Sequence, residues 1–330
     1  MMNTLLAVDN LHVSFFTARG EVQAVRGITF SLERGQMLGL VGETGCGKSV
    51  TGRSIMRLIA PPGKITQGRI LFDGQPLLNL TEPEMRRVRG KRIAMIFQDP
   101  AAALNPVFTV AQQLKAIMEH HRVAKGAGLH RQATQLLADV GLPIPDALLK
   151  VYPHQLSGGM QQRVMIAMAL SSHPDLIIAD EPTTALDVTI QAQILNLLVK
   201  LQQDRGIAII LITHNLGIVA ETCREVAVLY AGRIVEQGAV RDIFHRPSHP
   251  YTRGLLAALP NPASRGQTLN VIPGSVPSGL QPFPGCAYAS RCEHVLPMCR
   301  ASQPAFVKLG VDHQVACYLY DPPTDSFDHE

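Results

Sequence analysis

The sequence predicts an α/β fold in which a mostly parallel core sheet is joined by an antiparallel β layer, an inserted helical subdomain and a small cysteine-rich C-terminal extension. Apolar runs of strand length recur along the chain, and several are followed at once by a polar side chain. Segments with helical spacing separate these runs, which is typical of parallel strands connected by helices. With 330 residues and 46% apolar content, the chain can bury a full core.

The antiparallel layer is expected at the start of the chain. Runs rich in β-forming residues, 11–16 and 27–32, lie on either side of Arg19 and Gly20. Two such runs around a glycine-containing turn favour an antiparallel pair of strands. Phe15 and Phe16 lie at the end of the first run, where a phenylalanine either packs in the core or stacks on the ring of a ligand.

A phosphate-binding pattern follows. Residues 42–49, GETGCGKS, fit G-x-x-x-x-G-K-[ST], the P-loop. The apolar run 37–41 before this loop predicts a buried strand, and residues 49–58 after it predict a helix. The motif requires this strand-loop-helix context, which favours a phosphate site over a chance glycine-rich turn.

The residue types in the loop suit a nucleotide. Glycines let the chain fold around a phosphate, so that N–H groups point inward at a helix N-terminus whose dipole favours negative charge. Lys48 adds a charge for the β- and γ-phosphates, and the Ser49 hydroxyl is placed to ligate Mg²⁺. Cys46 contributes its backbone N–H, and Phe15 is the candidate to stack on adenine. The expected nucleotide contacts in the loop are Gly42, Glu43, Thr44, Gly45, Cys46, Gly47, Lys48, Ser49 and Val50.

Polar side chains end two further apolar runs. Gln98 follows residues 93–97, and Asp180 and Glu181 follow residues 176–179. Because the carboxyl ends of parallel strands meet at one edge of a sheet, we expect these side chains beside the P-loop. Gln98 is placed to hold a metal-bound water, Asp180 suits the Mg²⁺ shell, and Glu181 can orient or deprotonate an attacking water.

A histidine ends the next run. His214 follows the buried run 208–213 and arrives at the same edge as Lys48 and Glu181. A histidine at a strand end is often only a polar terminus. Here a donor to the γ-phosphate would be useful, so we predict that role for His214.

A helical segment is inserted between the second and third of these strands. Residues 107–150 have helical spacing, and we place a helical subdomain at about residues 100–170. Within it, Ser157 can cap a helix whose amides are left bare by Gly158 and Gly159. This is a second helix N-terminus suited to an anion.

The net charge and the hydropathy of the sequence indicate whether the protein binds nucleic acid or enters a membrane. Thirty basic and 26 acidic residues give a net charge of +4, so we predict no nucleic-acid partner. The chain lacks an apolar stretch of the roughly 18 to 20 residues that span a bilayer, and residues 1–9 lack the regions of a signal peptide. We expect a cytoplasmic protein that docks at a membrane only through other proteins.

Taken together, these residues resemble the nucleotide-binding subunit of ATP-binding cassette (ABC) transporters over residues 5–260. Six motifs occur in the order that this family shows. They are the P-loop GETGCGKS, the loop at Gln98, the signature LSGGM at residues 156–160, the strand LIIAD with Glu181, the loop at residues 185–187, and Thr213 with His214.

The resemblance implies a P-loop NTPase cassette at residues 1–260 that hydrolyses ATP. In this family two subunits pack head to tail, so that the signature of one covers the ATP held by the other, and Asp187 lies at the seam. It implies in-line phosphoryl transfer in which Lys48, Mg²⁺, His214 and the partner's signature amides offset the developing charge.

The C-terminal part resembles one branch of this family. Residues 245–260, HRPSHPYTRGLLAALP, and residues 272–277, IPGSVP, resemble the tail of oligopeptide and dipeptide importer ATPases, a branch that includes nickel and antimicrobial-peptide uptake systems. The branch implies a heterodimer with a paralogous ATPase, two transmembrane permeases and an extracytoplasmic substrate-binding protein. It also implies a peripheral position at the cytoplasmic face of the inner membrane.

Four cysteines lie in this tail, which we assign to a domain of residues 261–330. A reducing cytoplasm disfavours disulfides, which leaves metal binding and free thiols open. The spacing lacks the C-x₂₋₄-C usual for zinc, and iron–sulfur sites tolerate wider gaps. Because the importer branch has a four-cysteine tail that binds a [4Fe–4S] cluster, the resemblance favours a structural cluster. Its expected ligands are Cys286, Cys292, Cys299 and Cys317.

Three alternatives remain. The same motor could import nickel, antimicrobial peptides or another small solute. A soluble cassette ATPase acting on DNA or ribosomes is disfavoured, because the chain has one cassette, no sustained heptads and no basic arm. The tail could also act as a redox or metal sensor that regulates transport. The leading expectation is the ATP-hydrolysing motor of an importer for di- or oligopeptides.

Overall fold

The computed structural model describes residues 4–184, 186–259, 271–277, 279–280 and 283–320. The strands are β1 (Thr4–Thr17), β2 (Gly20–Glu33), β3 (Met37–Val41), β4 (Gly63–Phe72), β5 (Gln75–Pro76), β6 (Ile93–Ile96), β7 (Leu176–Asp180), β8 (Ala208–Thr213), β9 (Glu225–Tyr230), β10 (Arg233–Ala239), β11 (Phe306–Lys308) and β12 (Gln314–Ala316). The helices are α1 (Lys48–Ile55), α2 (Glu82–Val88), α3 (Pro100–Ala103), α4 (Val110–His120), α5 (Ala127–Asp139), α6 (Pro145–Leu148), α7 (Gly158–Leu170), α8 (Val188–Arg205), α9 (Leu216–Thr222), α10 (Val240–His245), α11 (Pro250–Ala257) and α12 (Pro297–Ala301).

The expected antiparallel layer is formed by β2, β1, β4 and β5 in that spatial order. The strands β1 and β2 pair antiparallel, with Thr17 opposite Gly20 at the turn. On its other side β1 pairs antiparallel with β4, from Leu6 opposite Phe72 to Phe15 opposite Gly63. The predicted antiparallel pair at the start of the chain is therefore confirmed, with strands longer than the apolar runs that indicated them.

The core sheet has the order β11-β12-β10-β9-β3-β8-β7-β6 in the described part of the chain. Its strands from β9 to β6 pair in parallel, and those from β11 to β9 pair antiparallel. The predicted α/β fold with a mostly parallel core sheet is confirmed in this region. The antiparallel strands β9 to β12 are an addition that the periodicity of the sequence did not indicate.

The central strand β3 sets the register of the strands on both sides of it. All five of its residues are buried, and it has parallel partners on both edges, β8 and β9. Side chains on a strand alternate between the two faces of the sheet. Met37 and Val41 accordingly join the core under the helical region, while Leu38 and Leu40 join the core under the antiparallel layer. A strand buried on both faces fixes its register on both sides.

The expected helical insertion lies between β6 and β7 and consists of α3 to α7. Leu114, Met118, Leu137 and Val140 are fully buried at helical spacing, and they pack in the same core as Met37. Helices of this insertion therefore rest on one face of the core sheet. None of the helices in the described residues combines the length and the apolar character needed to cross a bilayer.

The C-terminal part of the chain is joined to the core sheet. Its strand β12 pairs antiparallel with β10, with Val315 opposite Glu236. Glu236 is fully buried and accepts hydrogen bonds from the backbone N–H of Ser248 (2.7 Å) and of His249 (2.9 Å). His313 lies 2.8 Å from the same carboxylate through Nε2. The assignment of residues 261–330 to a separate domain stays a prediction.

We expect Glu236→Ala to lower the free energy of unfolding by about 3 kcal/mol, because it removes one acceptor shared by two backbone donors and a buried imidazole. Urea unfolding of the full chain measures this change. The exposed Glu21 provides the control, since Glu21→Ala should change the free energy by about 0.5 kcal/mol or less. Equal effects of the two substitutions would contradict the role given to Glu236.

Candidate functional site

A cavity of about 420 Å³ opens at the carboxyl edge of the parallel strands. Residues from the P-loop, from the loops after β6, β7 and β8, and from the antiparallel layer surround it. They are Ala24, Thr44, Gly45, Gly47, Lys48, Ser49, Val50, Gln98, Glu181, Thr184 and His214. The structure thus brings together the polar strand-end residues that the sequence placed at one edge. Ala24 and Thr184 are additions that no motif indicated.

Two glycines of the P-loop lie where a side chain would clash with the backbone. Gly42 has a φ of 148°, and a Cβ there would lie 2.1 Å from the carbonyl oxygen of Leu229. Gly47 has a φ of 103°, and a Cβ there would lie 2.5 Å from the carbonyl oxygen of Ala24. A side chain at either position would therefore displace the backbone. Gly47 also precedes α1, which has no side-chain cap at its N-terminus. The first amides of α1 are free to meet a phosphate.

Lys48 is held at the closed end of this cavity. Its side chain is buried, and Nζ donates to the carbonyl oxygens of Gly42 (2.7 Å) and Glu43 (3.0 Å). Cys46 is also buried, and its N–H donates to the Glu43 carbonyl at 3.3 Å. A buried ammonium whose partners are neutral carbonyls can gain from an arriving anion, which suits phosphate.

The residues predicted to hold Mg²⁺ converge. Ser49 Oγ donates to Asp180 Oδ1 at 2.7 Å, across the junction between α1 and the end of β7. Burial raises the pKa of the Asp180 carboxyl, and the hydrogen bond from Ser49 opposes that rise. A hydroxyl and a carboxylate are the hard oxygen donors that Mg²⁺ prefers beside phosphate oxygens. These residues therefore fit the ion.

Glu181 occupies a strained position. Its φ is +48°, a conformation that residues other than glycine rarely adopt, and its N–H donates to Ile212 of the neighbouring strand at 2.9 Å. Its carboxylate accepts a hydrogen bond from Thr184 Oγ1 at 2.9 Å and one from Gln98 Nε2 at 3.3 Å. Backbone strain of this kind is concentrated at functional sites, and here it aims the carboxylate into the cavity.

His214 lies beside the same carboxylate. Its Nδ1 is 3.5 Å from Glu181 Oε1, and its side chain is 57% exposed. Asn215, the next residue, caps α9 by accepting from the N–H of Gly217. The structure therefore brings Gln98, Glu181 and His214 together at one mouth of the cavity, as the strand-end pattern predicted.

Phe15 is placed differently from the other expected contacts. Its ring packs against the core under the antiparallel layer. The ring lies so close to Gly63 that a Cβ on this glycine would be 2.7 Å from it. Phe16 points to the other face of β1 and is 47% exposed. Neither ring lines the cavity among the described residues. Adenine stacking on Phe15 stays a prediction.

The signature also lies outside this cavity. Ser157 caps α7 by accepting from the N–H of Met160 at 3.4 Å, as its sequence position suggested. Gly159 packs closely on Ile190 of α8, where a Cβ would lie 2.9 Å from the isoleucine side chain. Asp187 caps α8 by accepting from the N–H of Ile190. The signature and the start of α8 thus pack together, and neither is among the described residues that line the cavity.

The tail cysteines are free thiols in the described residues. The pKa of Cys286 is raised to about 11, mainly by burial and in smaller part by the neighbouring Cys299, Cys317 and Cys292. The Leu296 N–H donates to Cys299 Sγ at 3.4 Å. However, the described residues contain no group of three or more histidine, cysteine or acidic side chains arranged to hold a metal ion. The expected [4Fe–4S] site is therefore not supported here.

Two residues that were not expected at the nucleotide site contact the P-loop from the C-terminal part. Arg291 Nη1 lies 3.0 Å from Glu43 Oε2, and the Glu43 N–H donates to the hydroxyl of Tyr251 at 2.9 Å. Tyr251 belongs to the tail motif HRPSHPYT, so the motif signalled importance without indicating the contact. Arg291 carried no signal apart from its position beside Cys292.

Comparison with known families gives two matches along the chain. Residues 25–184 match the ABC transporter family, and residues 235–299 match the C-terminal region of oligopeptide/dipeptide transporters. The dipeptide transport ATP-binding protein DppD of Bacillus subtilis is 50% identical over 97% of this chain and 96% of its own length. The oligopeptide transport ATP-binding protein OppD of Salmonella typhimurium is 46% identical over 92% of this chain and 90% of its own.

Solved structures agree with this similarity. A dimeric ATP-binding cassette in a post-hydrolysis state with ADP and Pi matches with a TM-score of 0.65 and 26% identity, over 72% of this chain and 99% of its own. The protein cbiO1 of Clostridium perfringens, part of an ABC transporter complex, matches with a TM-score of 0.63 and 29% identity, over 74% of this chain and 92% of its own. The fold is that of an ATP-binding cassette.

We expect Asp180→Asn to lower ATP turnover by about 100-fold or more, because it removes the charge that faces the cation and phosphates. Nucleotide binding in the presence of EDTA should change less than about twofold. Since burial raises the pKa of Asp180, its ionised form destabilises the fold above the ordinary carboxyl pKa, and the asparagine variant should melt no lower than the wild type.

The exposed Asp204 supplies the matched control, because Asp204→Asn should leave turnover unchanged. Turnover is measured at saturating Mg²⁺, and stability by thermal melting. A variant at position 180 that retains wild-type turnover would exclude the metal-binding role.

Proposed function

This chain belongs to the ABC transporter family of ATPases, and from that premise we propose that it is the ATP-hydrolysing motor subunit of an importer for dipeptides or oligopeptides. The observation that carries the hydrolytic part is the convergence of Glu181, Lys48 and the Ser49–Asp180 pair on one cavity. The peptide part is supported by the similarity to dipeptide and oligopeptide transport proteins over nearly the whole chain.

The mechanism follows from the positions of these groups. The triphosphate enters the cavity with its phosphates against the bare amides of the P-loop and α1, while Lys48 neutralises charge on the β- and γ-phosphates. Ser49 and Asp180 would hold Mg²⁺, which would supply positive charge against the phosphates as negative charge develops on them. Glu181 orients a water in line with the γ-phosphate and accepts its proton, and His214 donates to the phosphate being transferred.

A second subunit completes the site. Ser157, Gly158 and Gly159 at the start of α7 are not among the described residues that line the cavity of their own P-loop, and a cassette of similar fold is dimeric in a post-hydrolysis state. We infer that two protomers face each other so that Ser157, Gly158 and Gly159 of one cover the nucleotide of the other. Asp187, which caps α8 beside the signature, then lies at the seam. A paralogous ATPase, as in a heterodimer, is the partner that we propose.

An apolar groove on the surface is the observation that favours permease partners. Its volume is about 260 Å³, and its lining is largely apolar, at the junction of β6 with the helical insertion. Phe97 in this lining is 37% exposed. Exposed apolar surface is typical of a protein contact. We propose that one of two transmembrane permeases docks there and that the other docks on the second ATPase subunit. An extracytoplasmic substrate-binding protein then lies on the far side of the membrane, and this chain lies at the cytoplasmic face.

For the tail we propose a structural [4Fe–4S] cluster held by four thiols. The support is that the Cys286 N–H donates to the Cys299 carbonyl at 2.7 Å and that Cys292, Cys299 and Cys317 lie close enough to Cys286 to raise its pKa. The N–H bond to Cys299 Sγ is of the kind found around cluster sulfurs. A bound cluster would bring the four thiols together by coordination and would brace a small segment with little core of its own.

We expect Glu181→Gln to abolish ATP hydrolysis, with a loss of about 1,000-fold, while ATP binding is retained, because glutamine can still hydrogen-bond but cannot accept a proton. Turnover is measured in the assembled transporter and ATP binding in the purified chain.

The exposed Glu221 on α9 is the control, since Glu221→Gln should hydrolyse ATP at the wild-type rate. Unchanged turnover in the Glu181 variant would remove this residue from its role and with it the proposed mechanism.

The cluster is tested on material purified without oxygen. We expect about four iron atoms and as much acid-labile sulfide per chain, with both lost in Cys299→Ser and retained in the variant Cys223→Ser, which changes a buried cysteine of the cassette. Stoichiometric zinc, or no metal at all, would refute the iron–sulfur assignment and leave the ATPase proposal untouched.

A further inference from the structure

Glu43 of the P-loop is held by the C-terminal part of the chain. The Arg291 side chain is only 5% exposed, and its Nη1 lies 3.0 Å from Glu43 Oε2. Nη1 also donates to the hydroxyl of Tyr230 (3.2 Å), while Nε and Nη2 donate to the carbonyl oxygens of Pro273 (2.8 Å) and Ile272 (3.1 Å). A guanidinium with so many fixed partners is a rigid support for the carboxylate.

The backbone of Glu43 is held from the same side. Its N–H donates to the hydroxyl of Tyr251, which is fully buried at the start of α11. The ring of Tyr251 packs on Tyr230 at 4.6 Å between centroids and on Tyr288 at 5.4 Å. Because Tyr288 lies between Cys286 and Cys292, the aromatic group connects the cysteine-containing segment to the loop.

Glu43 in turn orients the phosphate-binding groups. Its carbonyl oxygen accepts from Lys48 Nζ at 3.0 Å and from the N–H of Cys46 at 3.3 Å. The backbone of Glu43 thus lies between the C-terminal support and the lysine that meets the phosphates. A displacement of this one residue would move the lysine and an amide of the loop.

We propose that Arg291 and Tyr251 are positioning residues for the ATP site: they brace Glu43 and so hold the P-loop in its phosphate-binding conformation before nucleotide arrives. The inference rests on the ATP site proposed above and extends it to the C-terminal part of the chain. A loop held in its bound form loses less freedom on binding, so the brace contributes to affinity without touching the ligand. Because substrate and transition state both use the loop, turnover at saturation should be largely unaffected.

The experiment measures Mg·ATP affinity of the full chain by calorimetry, together with kcat and KM in the assembled transporter. We expect Arg291→Ala to weaken ATP binding and raise KM by about tenfold, with kcat within about twofold of wild type. Tyr251→Phe, which removes only the hydroxyl, should weaken binding by about threefold. Arg291→Lys should restore part of the affinity.

A double-mutant cycle tests whether the effect passes through Glu43. If the brace acts as proposed, the variant with both Glu43→Ala and Arg291→Ala binds ATP about as tightly as either single variant, instead of showing the product of both losses. Arg253→Ala is the matched control, because Arg253 holds Pro247 and Tyr320 of the same region and does not reach the P-loop. It should lower thermal stability without changing ATP affinity.

The outcomes separate this inference from the proposed function. Unchanged ATP affinity in Arg291→Ala and Tyr251→Phe, or additive losses in the cycle, would overturn the brace. Lys48→Ala should abolish ATP binding in parallel, and retained binding in that variant would instead overturn the ATP site itself.

Discussion

The common carboxyl edge of the parallel strands is the constraint on which the rest of the structure depends. The strands β3, β7 and β8 are buried on both faces and pair in fixed register, so polar groups can occur only where the strands end. That placement brings Asp180, Glu181 and His214 to the mouth of the P-loop. Chemistry at this edge therefore follows from the packing of apolar residues far from any ligand.

The same constraint leaves the site open on one side. The sheet supplies the phosphate loop, the carboxylates and the histidine, but the amides at the start of α7 belong to a helical insertion that rests elsewhere on the sheet. A charged triphosphate in a half-open cavity remains partly exposed to water, which weakens every electrostatic interaction with it. A facing subunit would exclude that water, so that nucleotide binding and subunit association become one event.

The fold and most of the site could be predicted because their signals are local. An apolar run followed by an acid, a glycine-rich loop before a helix and a serine before Gly158 each specify structure within a few residues. The contacts of Arg291 and Tyr251 with Glu43 join positions more than 200 residues apart, and no local pattern encodes them. Pairing of β12 with β10 is non-local in the same way. The position of Thr184 in the cavity could not be predicted, because one threonine in a turn has many possible roles.

The central claim is that one nucleotide is shared by two facing protomers. A cryo-EM structure of the assembled transporter with ATP bound tests it most directly, through the distance from Ser157 Oγ to the nearest γ-phosphate oxygen. The account predicts hydrogen-bond contact, about 3 Å, with the nucleotide held by the P-loop of the facing ATPase subunit. Nucleotide contacted by a single subunit alone, with Ser157 far from any phosphate, would contradict it.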